Sequence, residues 1–235
     1  MEKHLTHPDH PRFEPDKWND FKNTKKGYIQ KSHNCYAYAM NTIKKDYIKK
    51  CKKYVAKTEK KKDEFLKKLG KEYENIYDTW DWYLTHVEQH KDRFCPYVRP
   101  QLGVYSGTVH KYYKSFSDLT VKNVKKMLKK DNPKIIKLKK NQQCPYGFYK
   151  IFVMIWKSRD KDVKEGDYHF IRQDKTGSWS HKNGAEPVKL LIEKDPYEYV
   201  KNQKKKNKDI SYGICGYYAV PIKGKKNLGT FYKDL

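Results

Sequence analysis

The sequence has no CxxC pair, no long apolar run and little arginine, and each absence removes a class of protein. Its five cysteines, Cys35, Cys51, Cys95, Cys144 and Cys215, are odd in number and widely spaced. That is neither a disulfide framework nor a zinc-ligand pattern, and a reducing compartment is the simplest expectation. The best apolar run, Ile151 to Trp156, is too short to cross a bilayer. The N-terminus, from Met1-Glu2-Lys3-His4-Leu5 onward, lacks the apolar core of a signal peptide. A soluble chain is predicted, cytoplasmic where it is made or held within an assembled particle, with no membrane span. The nine histidines scatter without ligand spacing, so no metal and no other cofactor is expected.

What the chain does carry is charge and aromatic bulk. Its 235 residues suffice for a sizeable core in one domain with insertions. Twenty-one tyrosines, nine phenylalanines and five tryptophans argue against a wholly disordered chain. The net charge of +25 comes almost entirely from lysine, a point charge rather than a bidentate fork. Such a surface predicts salt-sensitive, non-specific contact with nucleic acid or another polyanion. Coding bias toward Lys, Asn, Tyr and Ile would give the same composition without a partner.

Residues 1 to about 30 are polar and punctuated by Pro8, Pro11 and Pro15, which predicts an extended N-terminal arm before a domain over 31–235. Ser32, His33 and Asn34 offer caps for a helix over Cys35 to Ile48. Thirteen lysines against four acids from Lys44 to Lys71, then an apolar stripe over Glu72 to Gln89, predict a Lys-rich helical insertion at about 50–92. Phe94 to Tyr113 reads as an irregular loop, and Ser117-Asp118 as the cap of a helix that Asp131-Asn132-Pro133 stops. From there the pattern turns β: a central strand over Tyr146 to Trp156, a hairpin from Tyr168 to His181, a short strand over Val188 to Ile192, a lysine loop at 201–208 and a strand over Tyr212 to Ile222. Helices first and an antiparallel sheet afterwards make the fold class α+β.

Two segments carry chemistry. A nucleophilic cysteine needs its thiolate stabilised, and Cys35 in Asn34-Cys35-Tyr36-Ala37-Tyr38 opens a predicted helix. Its base must sit on a rigid element, and His169 begins a strand in Asp167-Tyr168-His169-Phe170-Ile171-Arg172. The turn Asp174-Lys175-Thr176-Gly177 brings His181 nearly opposite His169, as an orienter for the base. Asn183 shares the parity of His181 and is the other candidate for that role. Asn34, Ser106, Arg172, Gln173 and Trp179 are the candidates to line a substrate cleft.

Over 33–48 and 166–184 these residues resemble the NlpC/P60 branch of the papain-like fold: a cysteine opening a helix, a histidine beginning a strand, and a polar residue twelve positions later on the next strand. The resemblance implies Cys35 as nucleophile, His169 as base and His181 as third member of a cysteine peptidase or amidase. It also implies a peptide or amide substrate; related folds include acyltransferases and inactive members. The other expectation is a catalytically inactive scaffold of this kind that binds nucleic acid or another polyanion, or serves assembly, through its lysines and tyrosines.

Overall fold

A computed structural model describes residues 8–20, 27–53, 56, 98–113, 115–160, 162–163 and 165–230. Most of the predicted insertion, and Cys95, lie outside the described residues; at its root, residues 45–53 are helical.

The centre is an antiparallel sheet of six strands: β1 (Ile136–Leu138), β2 (Phe148–Ser158), β3 (Gly166–Gln173), β4 (Trp179–Lys182), β5 (Val188–Leu190) and β6 (Ile210–Pro221). Their order is β1-β6-β2-β3-β4-β5, so the class is α+β as expected. Helices α1 (Pro15–Trp18), α2 (Tyr28–Ser32), α3 (Cys35–Ala39), α4 (Val109–Tyr112), α5 (Val121–Asp131) and α6 (Pro196–Lys206) surround it. One face packs Tyr149, Ile151, Val153, Tyr168 and Phe170 against α3 and α5. The other packs Phe152, Met154, Ile171, Trp179 and Tyr217 against Val200 and Tyr197 of α6. Burial on both faces explains why β2 reads as an unbroken apolar run rather than an alternating one.

Several boundaries differ from the sequence reading, each for a local reason. The helix predicted over 35–48 is interrupted after α3, because Asn41 adopts a left-handed conformation at φ 47°. Thr42 N–H returns to Ala37 O at 3.1 Å and Asn41 N–H to Tyr38 O at 2.9 Å. This is a Schellman cap with asparagine in glycine's usual place. The cap of α5 is Thr120, whose side chain accepts from Asn123 N–H, rather than Ser117-Asp118, which lies in a separate 3₁₀ turn. The lysine segment read as a loop is mostly α6, started by Asp195 as cap and Pro196 in the first turn. In β6 the register shifts opposite Val153 and Met154, with Cys215 as the extra residue and Gly216 at φ 110°. This bulge brings Tyr212 and Ile214 to the same face as Tyr217 and Ala219.

The N-terminal segment is more than a surface arm. It contains α1 and α2, buries Trp18 completely, and uses the Asp20 carboxylate to accept from Ile29 and Gln30 N–H at 2.8 and 2.9 Å. Cys35, Cys144 and Cys215 are free thiols, whereas Cys51 is disulfide-bonded, a pairing that the cysteine spacing did not announce. No helix among the described residues is long and apolar enough to cross a membrane.

Candidate active site

The hairpin β3–β4 assembles the histidines, though by a different register from the one predicted. Asp174 N–H donates to Ser178 O and Gly177 N–H to Asp174 O, both at 2.8 Å, with Gly177 at φ 87°. The left-handed glycine lengthens the loop by one residue beyond a simple four-residue turn. Ile171 therefore stands opposite His181, and continuing the register sets Asn183 opposite His169. The two histidines are diagonal neighbours on one face, a separation that long side chains bridge. His169 Nε2 and His181 Nδ1 meet at 2.8 Å with their rings edge to face at 88°. His181 also stands 5.7 Å, centroid to centroid, from Tyr199 of α6.

Both rings are nearly buried. Burial, and then the adjacent His181, pushes the His169 pKa down to about 3. Burial and Lys189 lower His181, while Glu186 and the Asn183 side chain pull it back. Two neutral rings share one hydrogen bond, so only one of the facing nitrogens carries a proton. When that proton is on His169 Nε2, His169 Nδ1 is an acceptor, and no hydrogen bond occupies Nδ1 among the described residues.

Cys35 approaches β3 from its other face. Asn34 caps α3 by accepting from Ala37 N–H at 3.3 Å, and its amide donates to Pro100 O at 2.8 Å. The sulfur then rests against the main chain on both sides of His169: 3.8 Å from Tyr168 O, and facing the Phe170 N–H. Side chains alternate along a strand, so Tyr168 and Phe170 pack with Cys35 while His169 projects oppositely, as Ile171 does. No hydrogen bond joins the sulfur to either imidazole among the described residues. Sulfur and imidazole are brought to one cleft, at the edge of β3 that β4 leaves open beyond Lys182. Burial, with Asp167 second, pushes the thiol up to about 12, against the Phe170 and Tyr36 amides and Lys182.

The cleft encloses about 1090 Å³ and is lined by Cys35, His169, Asn34 and Asn183 among others. The remaining candidates lie elsewhere. Ser106 Oγ donates to Asp131 at 2.7 Å in a buried tie with Tyr36. Arg172 is fully buried, pairing with Asp174 at 2.9 Å and donating to Asn41, Tyr38 O and Arg12 O. Gln173 donates back to Gly177 O within its own turn, and Trp179 packs on Tyr217 under α6. Their positions follow from strand parity and from the longer turn.

Cleft residues without a role in the sequence reading come from distant segments. Tyr168 O–H donates to Gln101 Oε1 at 2.7 Å and accepts from Leu102 N–H, tying the 98–102 loop to β3. Arg99 Nε donates to Lys31 O at 2.8 Å. Asp167 sits at the mouth, still reaching solvent, with its carboxyl raised by surrounding protein to about 6 and pulled back by the Tyr168 N–H and Arg99. On the histidine side Met154, Trp156, Tyr199 and Tyr212 form an apolar and aromatic wall. That wall depends on α6, which the lysine-rich segment concealed. Among the described residues no group of three or more His, Cys, Asp or Glu side chains could hold a metal. Comparison with protein-family models, curated proteins and solved structures found no match.

Proposed function

We propose that this protein is a thiol hydrolase of papain-like, NlpC/P60-like type that cleaves a peptide or amide bond through a Cys35 acyl-enzyme. The observation that carries the reading is that Cys35 and His169 line one cleft, with His169 Nε2 tied to His181 Nδ1 at 2.8 Å and no hydrogen bond at His169 Nδ1 among the described residues. In the proposed reaction the sulfur attacks the substrate carbonyl as the thiol proton passes to His169 Nδ1 through a water in the cleft that both residues line. His169 then returns that proton to the leaving amine, and water resolves the thioester with His169 again as base. His181 orients the ring. With the thiol raised and the imidazole lowered, the resting pair is neutral, so proton transfer accompanies attack rather than preceding it. Acylation by p-nitrophenyl acetate, followed by intact mass, tests this. A burst that adds one acetyl group at Cys35, absent in Cys35→Ala and slowed about 10²-fold or more in His169→Ala, is expected. Acylation unchanged by His169→Ala would sink it.

A second reading is a catalytically inactive scaffold that binds polyanions. The buried, weakly acidic thiol and the missing sulfur–imidazole hydrogen bond favour it, as do the exposed Lys201, Lys204, Lys205 and Lys206 of α6. It predicts no burst, and retention on single-stranded nucleic acid that falls steeply with salt.

A further inference from the structure

Lys182 ends β4 and is fully buried, although it lies between two polar residues, His181 and Asn183. Its Nζ donates to Gln30 O at 2.7 Å and Gly184 O at 2.5 Å. Both carbonyls belong to walls of the cleft, and the Gln30 amide adds a bond to Ala185 O at 2.9 Å. Among the described residues no carboxylate comes within ion-pair distance of this nitrogen. A buried ammonium without a counter-ion is costly, and a lysine in that position answers to whichever anion forms beside it.

The sheet register says which anion that is. Ile171 pairs with His181, so Lys182 is the next cross-strand neighbour, at Phe170. Phe170 is the residue whose amide faces the Cys35 sulfur. Lys182 shares the parity of Ser180, whose hydroxyl bonds Tyr38 of α3 at 2.6 Å, so it points to the face from which Cys35 approaches. The imidazoles project from the opposite face. We propose that Lys182 favours the thiolate of Cys35 when it forms and pins the two cleft walls around the sulfur.

The other charged groups acting on the pair are Asp20 from the N-terminal segment, His33 before α3, Arg99 from the 98–102 loop, Asp167 at the start of β3, and Glu186 after β4. Asp20 and Glu186 favour the ammonium, Arg99 opposes it, and Asp167 opposes the thiolate. Burial draws the amine well below the ordinary lysine range, and the Cys35 thiolate raises it again.

The inference rests on the reading above only in taking Cys35 as the reactive sulfur, and its test needs no substrate. The rate of iodoacetamide labelling at Cys35, read by peptide mass mapping, is followed across about pH 6 to 10, where thiolate population sets the rate. Lys182→Met is expected to label about tenfold or more slowly at the acid end of that range, equivalent to raising the thiol by one unit or more, with the gap closing as the wild-type amine loses its proton. Lys182→Arg, which keeps the charge, is expected within about threefold of wild type. Labelling unchanged in Lys182→Met overturns the proposal. So does an equal loss in Lys182→Arg, which would assign the residue to packing alone. If Lys182→Met fails to fold, the wild-type protein decides. A cation behind the sulfur makes anionic iodoacetate gain on neutral iodoacetamide relative to a free cysteine peptide, and a ratio no higher than the peptide's overturns it. The acetylation burst can fail while these outcomes hold, so the two readings separate.

Discussion

Asn41 shows how one side chain can serve backbone and core together. It takes the left-handed conformation that ends α3, and its Oδ1 accepts from buried Arg172 at 3.0 Å. Asn41→Ala loses both roles and is expected to cost about 2–4 kcal/mol, the left-handed penalty plus a charged hydrogen bond. Asn41→Gly keeps the conformation and should cost about 1–2 kcal/mol less, because only the penalty is avoided. Urea unfolding compares them, and equal midpoints would remove the backbone argument. At this scale the sequence was uneven. Asn34, Cys35, His169 and His181 were legible because capping chemistry and strand parity are local. Lys182 was not, since its burial is decided by Gln30, 152 positions away, and nothing nearby marks it.

Elements were legible where both ends carried local signals. β2 and the hairpin came through because their β-branched and aromatic runs are bounded by turn residues. β1 was missed because three residues with two exposed make no pattern. The α6 helix was missed because its start signal, Asp195-Pro196, lies upstream of the lysines that dominate the segment. Asp195 Oδ1 accepts from Tyr197 N–H at 2.7 Å and from Glu198 N–H at 3.2 Å. Asp195→Ala is expected to cost about 1 kcal/mol through lost capping. Since Tyr199 and Gln203 of this helix line the cleft, the same change should raise amide exchange in α6 before it alters the midpoint of the sheet. Exchange that rises uniformly across the molecule would argue against so local an effect.

For the whole molecule, acidity is the sharpest probe of what the interior holds. His33 is fully buried, its Nε2 accepts from Lys44 N–H at 3.0 Å, and burial first of all lowers its pKa from 6.5 to about 4. His169 is lowered to about 3. Unfolded chains take up these protons near the ordinary histidine value while the folded protein refuses them. The stability they carry is present above about pH 6.5 and lost as pH falls toward about 4 and then 3. For His33 alone the loss is about 3 kcal/mol. Asp131, Asp167 and Asp174, raised by burial, have the opposite sign and soften the fall. The urea midpoint should therefore drop through this window, and His33→Gln should flatten the upper part of the drop. A His33→Gln midpoint that falls as steeply as wild type between about pH 6.5 and 4 would contradict the neutral buried histidine. Composition had predicted the solvated exterior, but not which polar groups would be enclosed.

The position of β6 also sets an order of assembly. It lies between β1 and β2, although it follows every other strand in the chain, and its pairing with β2 joins Phe148 to Pro221. During synthesis the hairpin that unites His169 with His181 can zip as soon as it emerges, since its contacts are local. The β2 edge away from β3 stays unpaired until β6 emerges from the ribosome. On a growing chain the histidine pair can therefore form early, whereas the sheet that holds it in place is completed last.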